Sequence, residues 1–238
     1  MFSLCIPTMD RYDKYLSRFL KIYLKYENVS EIVITDENGN DIEKILKNFG
    51  QHPKLKLFKN ETRLGAFYNK LKVCQKASNE WIALIDSDNY APIEYFNNAK
   101  HFIENNDLTN NSIIAPVKAG YRHLFHHFEG LITKNTIPNE YNWKVLFNTG
   151  NFILNKFLIN NINLEEITNF KIGGLDVVCF LVLLFEQLDL QFHVVKNMEY
   201  DHTHNGNGIY LTSIKDIEVR HFEKYIYQRL QKLSQLVK

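Results

Sequence analysis

The sequence predicts an α/β fold: one domain with a mostly parallel central sheet, helices on its faces and an amphipathic helix at the C-terminal end. Three observations predict it. Short apolar runs of strand character alternate with segments of helical periodicity. One run, Trp81-Ile-Ala-Leu-Ile85, is continuously apolar, as strands covered on both faces are. Polar residues, Thr8, Asp36 and Asp86 to Asp88, follow directly on strand-like runs, and ligands bind in such sheets beyond the strands' carboxyl ends. A chain of 238 residues is long enough for one large domain of this kind.

The elements follow in order. Phe2 to Ile6 reads as a buried strand stopped by Pro7. Asp10 or Asp13 caps a helix running to about Tyr26, with Leu16, Phe19, Leu20, Tyr23 and Leu24 on one face. Glu31 to Thr35 is a second strand, ending in the polar turn Asp36-Glu-Asn-Gly-Asn40. Asp41 to Phe49 is a short helix, Leu55 to Phe58 a third strand, and Gly65 to Lys76 a helix. Trp81 to Ile85 is the fourth strand, and Pro92 suits the first position of the next helix. Ser112 to Ala115 is a fifth strand. The second half is less regular. His123 to Tyr141 reads as a loop, Phe147 to Leu154 as a turn with a short apolar run, Leu175 to Leu188 as a helix after Gly173-Gly174, and Phe192 to Val195 as a strand. Ile214 to Val237 is a long amphipathic helix with Ile217, Phe222, Ile226, Leu230 and Leu233 on its apolar stripe. Such a stripe docks on its own domain, pairs two copies, or, with Lys215, Arg220, Lys224, Arg229, Lys232 and Lys238 beside it, rests on a membrane surface.

Composition excludes several classes. Twenty-eight Lys and Arg against 27 Asp and Glu give a net charge of +1, without the basic excess of a nucleic-acid binder. Val177 to Phe185, the longest apolar run, is about half the ~20 residues that cross a bilayer. The N-terminus opens into a strand with no basic region or cleavage site, which predicts a cytoplasmic protein. Cys5, Cys74 and Cys179 are odd in number, widely spaced and in apolar contexts, the pattern of buried free thiols.

Asp86-Ser87-Asp88 is the sharpest chemical feature. Two carboxylates two residues apart after a buried strand project to one side if the chain stays extended. Mg²⁺ or Mn²⁺ takes one or two carboxylates plus substrate phosphates, so the pair suits a divalent cation; a plain polar turn is the competing reading. His202 and His204 in Tyr200-Asp-His-Thr-His204 share a face if extended, and imidazole binds transition metals. Zinc would need a third nearby soft ligand that the sequence does not show. His123, His126 and His127, with Tyr121, Arg122 and Phe125, read as the lining of a ligand pocket, with a metal site as the competing reading. Trp81 reads as core, and Trp143 as an aromatic ligand platform or core.

From Phe2 to about Tyr90 the chain resembles the nucleotide-binding half of the GT-A glycosyltransferases, family 2 in particular. Ser3-Leu-Cys-Ile-Pro-Thr8 with Arg11 is similar to the family's first strand and Pro-Thr turn. Glu31 to Asp36 is similar to the second strand, whose terminal Asp contacts the nucleoside. Asn60 through Asn69 resembles the entry to the next helix, and Ala77 to Asp88 the strand that carries the Asp-x-Asp motif. Asn148 to Leu154 resembles the segment beside the donor sugar, and Gly173-Gly-Leu-Asp176 the Gly-rich turn with the catalytic base.

The resemblance implies a GT-A domain over residues 1–238, with a nucleotide-sugar half (1–90), an acceptor half (91–212) and a C-terminal helix (213–238). It implies a metal-dependent, inverting transferase that moves a sugar from a nucleoside-diphosphate sugar, UDP-sugar favoured, to a glycan or glycoconjugate hydroxyl. Thr8, Arg11, Asp36, Asn69 and Asp86 would hold the donor. Asp86, Asp88 and His202 or His204 would hold Mn²⁺ or Mg²⁺, and Asp176 would be the base. No Gln-x-x-Arg-Trp motif is present, which with the lack of a membrane run points to non-processive transfer. The competing functions are a sugar-nucleotide nucleotidyltransferase, whose Gly-rich basic loop Pro7-Thr-Met-Asp-Arg11 does not match, and a non-catalytic binding module, which leaves Asp86, Asp88, Asp176 and His204 unexplained.

Overall fold

The computed structural model describes residues 1–120, 123–125, 128–136, 150–203, 213 and 215–235, with only the main chain of His123, Ser234 and Gln235. The expectations for Tyr121, Arg122, His126, His127, Trp143, Asn148 and His204 lie outside the described residues.

The chain begins with β1 (Phe2–Thr8), a widened turn (Tyr12–Leu16) that runs into α1 (Ser17–Tyr23), β2 (Val29–Asp36), α2 (Asn40–Phe49) and β3 (Leu55–Lys59). It continues with α3 (Ala66–Gln75), β4 (Trp81–Leu84), α4 (Ile93–Glu104), β5 (Ser112–Ala119), β6 (His123–Leu124) and β7 (Gly130–Ile132). Then come β8 (Phe152–Asn155), α5 (Lys156–Asn161), α6 (Asp176–Gln187), β9 (Gln191–Tyr200) and α7 (Ile217–Gln235). The sheet order is β3-β2-β1-β4-β8-β5-β9-β7, with β6 paired to β5. Strands β3, β2, β1, β4, β5 and β9 run one way, and β8, β6 and β7 oppose them.

Several elements depart from the sequence reading: β6 and β7 lie in the stretch read as a loop, α5 has no counterpart in it, and three more differ in extent or type. β1 does not stop at Pro7. Cys5 accepts from Ile85 N on the β4 side and Thr8 from Glu37 N on the β2 side, so Pro7, on Cys5's side, lies where the pairing with β4 has ended and no ladder bond needs its missing N–H. The run predicted as a turn is the antiparallel strand β8, inserted between β4 and β5. β9 reaches Tyr200 through a register shift at Asn197, whose φ is +62°.

α3 lies across β1 and β2, and α4 across β9. α6 is buried from Val178 to Phe185 on every side. One cover is α7, which packs on α6 and whose Phe222, Ile226, Leu230 and Leu233 are buried as predicted, with Val219 on the stripe in place of Ile217, which is exposed. At about 1.5–3 kcal/mol per buried side chain, that stripe accounts for the helix without a second copy or a membrane. Arg229 ties the pair further by bonding Glu186 on α6 and Glu166. The three cysteines are free and buried, and Trp81 packs partly buried against the core. Among the described residues no helix is long and apolar enough to cross a membrane.

Candidate active site

The carboxyl ends of β1, β2 and β4 and the N-terminal ends of α3 and α6 meet in one cleft of about 110 Å³. Pro7, Thr8, Glu37, Asn69, Lys70, Asp86, Ser87 and Asp176 line it. Three parallel strands and two helices that start where the strands end thus deliver residues far apart in sequence to one edge, as the order of strands and helices dictates.

On the β1–β2 side the organising group is Asp41, at the start of α2 and 1% exposed. Its carboxylate accepts from Thr8 Oγ1 at 2.5 Å, Arg11 N at 2.9 Å and Tyr12 N at 2.8 Å. These bonds fix the turn after β1 and hold Thr8 at the cleft. Asp36 is fully buried. Its Oδ2 accepts from Asp41 N (2.9 Å) and Ile42 N (3.1 Å), satisfying two free N–H groups at the start of α2. The acid that faces the cleft from this turn is the next residue, Glu37, whose Oε2 accepts from Leu64 N at 2.7 Å. Arg11 contributes its main-chain N–H here. Asn69 is buried, accepts from Asn60 Nδ2 at 3.0 Å and lines the cleft.

On the β4 side, Asp86 N donates to Asn151 Oδ1 at 2.6 Å, so the strand that opposes β4 sets the main chain of the Asp86 turn. Gly150 brings that strand close. A Cβ there would lie 3.3 Å from Asp86 Oδ2 and 3.1 Å from Val177 Cγ2. The turn is also fastened from β9. Tyr90 and Asp201 exchange main-chain bonds, Thr203 N donates to Asn89 Oδ1 at 2.9 Å, and Thr203 Oγ1 donates to the Asp88 carbonyl. His202 sits within this clamp and lines a neighbouring cleft with Lys118, Glu199 and Tyr200. Asp86, Asp88 and His202 do not close into a three-donor metal cluster among the described residues.

The structure brings Asp86 and Asp176 together through a residue that the sequence reading missed. Lys70 Nζ lies 2.8 Å from Asp86 Oδ1 and 2.6 Å from Asp176 Oδ2, with the lysine side chain 13% exposed. Burial alone would lower the Lys70 pKa, but Asp176 and then Asp86 override it and hold the ammonium well above its ordinary value. Burial pushes the Asp86 carboxyl up to about 6, with Lys70 opposing and Asp176 and Asp88 adding to the rise. A signal for Lys70 was present. It stands at the i+3 position from Phe67 and i−4 from Cys74, on the buried stripe of α3, where a lysine needs an anionic partner. Glu37 had no comparable signal.

A strand-ordered α/β sheet with a cleft of carboxylates at its carboxyl edge is the architecture of a GT-A glycosyltransferase. Residues 3–162 match the model of glycosyl transferase family 2, and the chain belongs to that family. Its fold is similar to that of S. aureus TarS 1-349, at 17% identity over 98% of this chain and 70% of that one, with a TM-score of 0.63. The same TarS fragment in complex with UDP-GlcNAc aligns with a TM-score of 0.62 at 17% identity, over 96% of this chain and 71% of that one. The mannosyltransferase PcManGT from Pyrobaculum calidifontis, in complex with GDP-Man and Mn²⁺, aligns at 12% identity over 99% of this chain and 73% of that one, with a TM-score of 0.58. No curated protein matches the sequence.

Proposed function

We propose that this glycosyltransferase moves a single sugar from a UDP-sugar to a hydroxyl of a glycan or glycoconjugate, with inversion at the anomeric carbon and with a divalent cation. The observation that supports this reading best is the shared ammonium: Asp86, on the nucleotide-binding half, and Asp176, at the start of α6, flank one cleft across Lys70.

The donor half of the cleft is the β1–β2 edge, where Thr8 is held by Asp41, Glu37 by the Leu64 N–H and Asn69 by Asn60. Asp36 and Arg11 serve the nucleoside by shaping this edge, through the start of α2 and the turn after β1. Asp176 takes the proton of the acceptor hydroxyl as its oxygen attacks the anomeric carbon. The bond to the diphosphate breaks with its electron pair on the leaving group. A positioned base of this kind contributes on the order of 10²–10⁴-fold.

The residues present fit a hard divalent cation. Glu37, Asp86 and Asp176 line the cleft with Lys70, and Asp88 is two residues from Asp86. Acid exceeds base, so a diphosphate needs an added positive charge to enter. Asp88 and Asp86 are the oxygen donors that would hold it, with phosphate and water completing the shell. His202, next to the Thr203 that bonds the Asp88 carbonyl, is the candidate for a further contact, and His204 is the alternative that the sequence offers. When bound, such a cation neutralises charge on the leaving diphosphate.

The test is sugar transfer with Mn²⁺ across a panel of sugar nucleotides and acceptor glycans, with the product's anomeric configuration read by NMR. Asp176→Asn should lower kcat by at least about 100-fold. Asp88→Ala should abolish the Mn²⁺ response. Undiminished transfer by Asp176→Asn would remove the base assignment, and a retained configuration would remove the inverting mechanism.

A further inference from the structure

We infer that Lys70 is a positioning residue of the transfer site, which acts by holding Asp176 at a fixed place relative to the donor-side carboxylate Asp86. The inference rests on the reading of Asp176 as the base. It assigns a role to a residue outside the acid motif and the Gly-rich turn.

The geometry carries it. Asp176 is the first residue of α6, and Lys70 Nζ lies 2.6 Å from its Oδ2. Asp86 is placed independently, by Asn151 Oδ1 on its N–H. Lys70 is placed independently too. It sits in the first half of α3 between Asn69, buried and bonded to Asn60, and Leu71, buried in the core. One nitrogen with two fixed supports therefore sets the third group. Without it, two carboxylates face each other across a confined space, with Asp88 nearby, and mutual repulsion turns Asp176 away into the cleft that it lines. An ammonium has three N–H donors. Two are used by the carboxylates, and the carboxylate oxygen Oδ1 of Asp176 is left to meet the acceptor hydroxyl.

A reacting group misplaced by about 1 Å costs on the order of 100-fold in rate. The expectation for Lys70→Met is thus a fall in kcat of about that size, with the KM for the donor changed less than about threefold, because the nucleotide is held at the β1–β2 edge. A merely structural lysine would not give that split.

The experiment compares wild type, Lys70→Met, Lys70→Arg, Asp176→Asn and the double variant Lys70→Met/Asp176→Asn. UDP release from UDP-glucose, UDP-galactose and UDP-GlcNAc is measured with Mn²⁺, UDP binding by calorimetry, and folding by circular dichroism. If Lys70 acts through Asp176, its removal costs about 100-fold in the wild-type background and less than about threefold in Asp176→Asn. Lys70→Arg, which keeps the charge, recovers most of the loss. Crystal structures of wild type and Lys70→Met give a readout that needs no turnover: Asp176 leaves its place beside Asp86 in the variant.

A folded Lys70→Met with wild-type kcat, or with Asp176 unmoved, overturns the inference. So does a double variant in which the two losses multiply. Failure of the underlying reading looks different: Asp176→Asn then turns over like wild type, or UDP does not bind wild type at all.

Discussion

Removing the carboxylate of Asp41 tests whether the donor edge is held together as described. Asp41 accepts from one hydroxyl and two main-chain N–H groups, and all three donors belong to the segment Thr8–Tyr12. A hydrogen bond to a charged group contributes about 1.5–3 kcal/mol, and a buried donor left unpaired costs about 1–3 kcal/mol. The Thr8 hydroxyl can rotate to another acceptor, and Arg11 N is partly within reach of water, so the Tyr12 N–H carries the largest uncompensated loss. Asp41→Ala should therefore cost about 3–5 kcal/mol. For a chain of this length that is a fall in Tm of roughly 10 °C. Asp41→Asn keeps an acceptor for Tyr12 N and should cost about half as much. Thermal melting followed by circular dichroism measures both. UDP titration should show weaker binding in Asp41→Ala at a temperature where the variant is still folded, because Thr8 has lost its anchor. A loss below about 1 kcal/mol in Asp41→Ala would refute the reasoning, since it would mean that the turn after β1 is held by something else.

Gly150→Ala pushes a methyl group against Asp86 Oδ2 and Val177 Cγ2, so it should cost about 1–3 kcal/mol in denaturant titration and lower turnover more than tenfold. Gly173 has φ +61° and a Cβ there would lie 2.8 Å from Ser213 Oγ and Val219 Cγ1; Gly173→Ala should lower Tm and, by shifting the turn before Asp176, reduce kcat more than donor KM. His193 is half-buried, with its Nε2 shut off from solvent and unpartnered among the described residues, and burial lowers its pKa, so the unfolded chain binds its proton first as pH falls. Its contribution to stability is full above the unfolded value of about 6.5 and is lost below it; Tm should fall between about pH 7.5 and pH 5.5, and fall less in His193→Phe.

The first half of the fold was legible because its strands and helices alternate without interruption, and each apolar run from Phe2 to Ile85 has a helix to cover it. Of the residues that line the cleft, Thr8 and Asp86 could be named because they stand at strand ends, and Asn69 and Asp176 through the resemblance of their segments to family 2. What stayed hidden depends on contacts between distant segments. β8 looks like a loop tail because four residues carry little periodicity, and only its fit between β4 and β5 makes it a strand. Asp36 and Glu37 differ by one residue, and the pleat sends the first into the α2 start and the second to the cleft. No local pattern tells which of two adjacent acids does which. Asp41 likewise reads as an ordinary first-turn carboxylate until Thr8, Arg11 and Tyr12 are brought to it from thirty residues away.

The antiparallel strand β8 is also what makes the two halves of the site one site. A purely parallel continuation would carry the chain beyond β4 to the next strand's carboxyl end, and nothing would support Asp86 from the side of α6. Because β8 runs against β4, its N-terminal end lies at the carboxyl edge of the sheet, and Gly150 and Asn151 arrive there rather than at the far side. Asn151 then fixes the Asp86 main chain while Gly150 lets α6 approach through Val177. That approach brings Asp176 within reach of Lys70 on α3. A reversal of one short strand thus couples Asp86, after β4, to Asp176, at the start of α6. It also requires a glycine at the crossing, because a side chain at position 150 would occupy the space in which Asp86, Lys70 and Val177 meet.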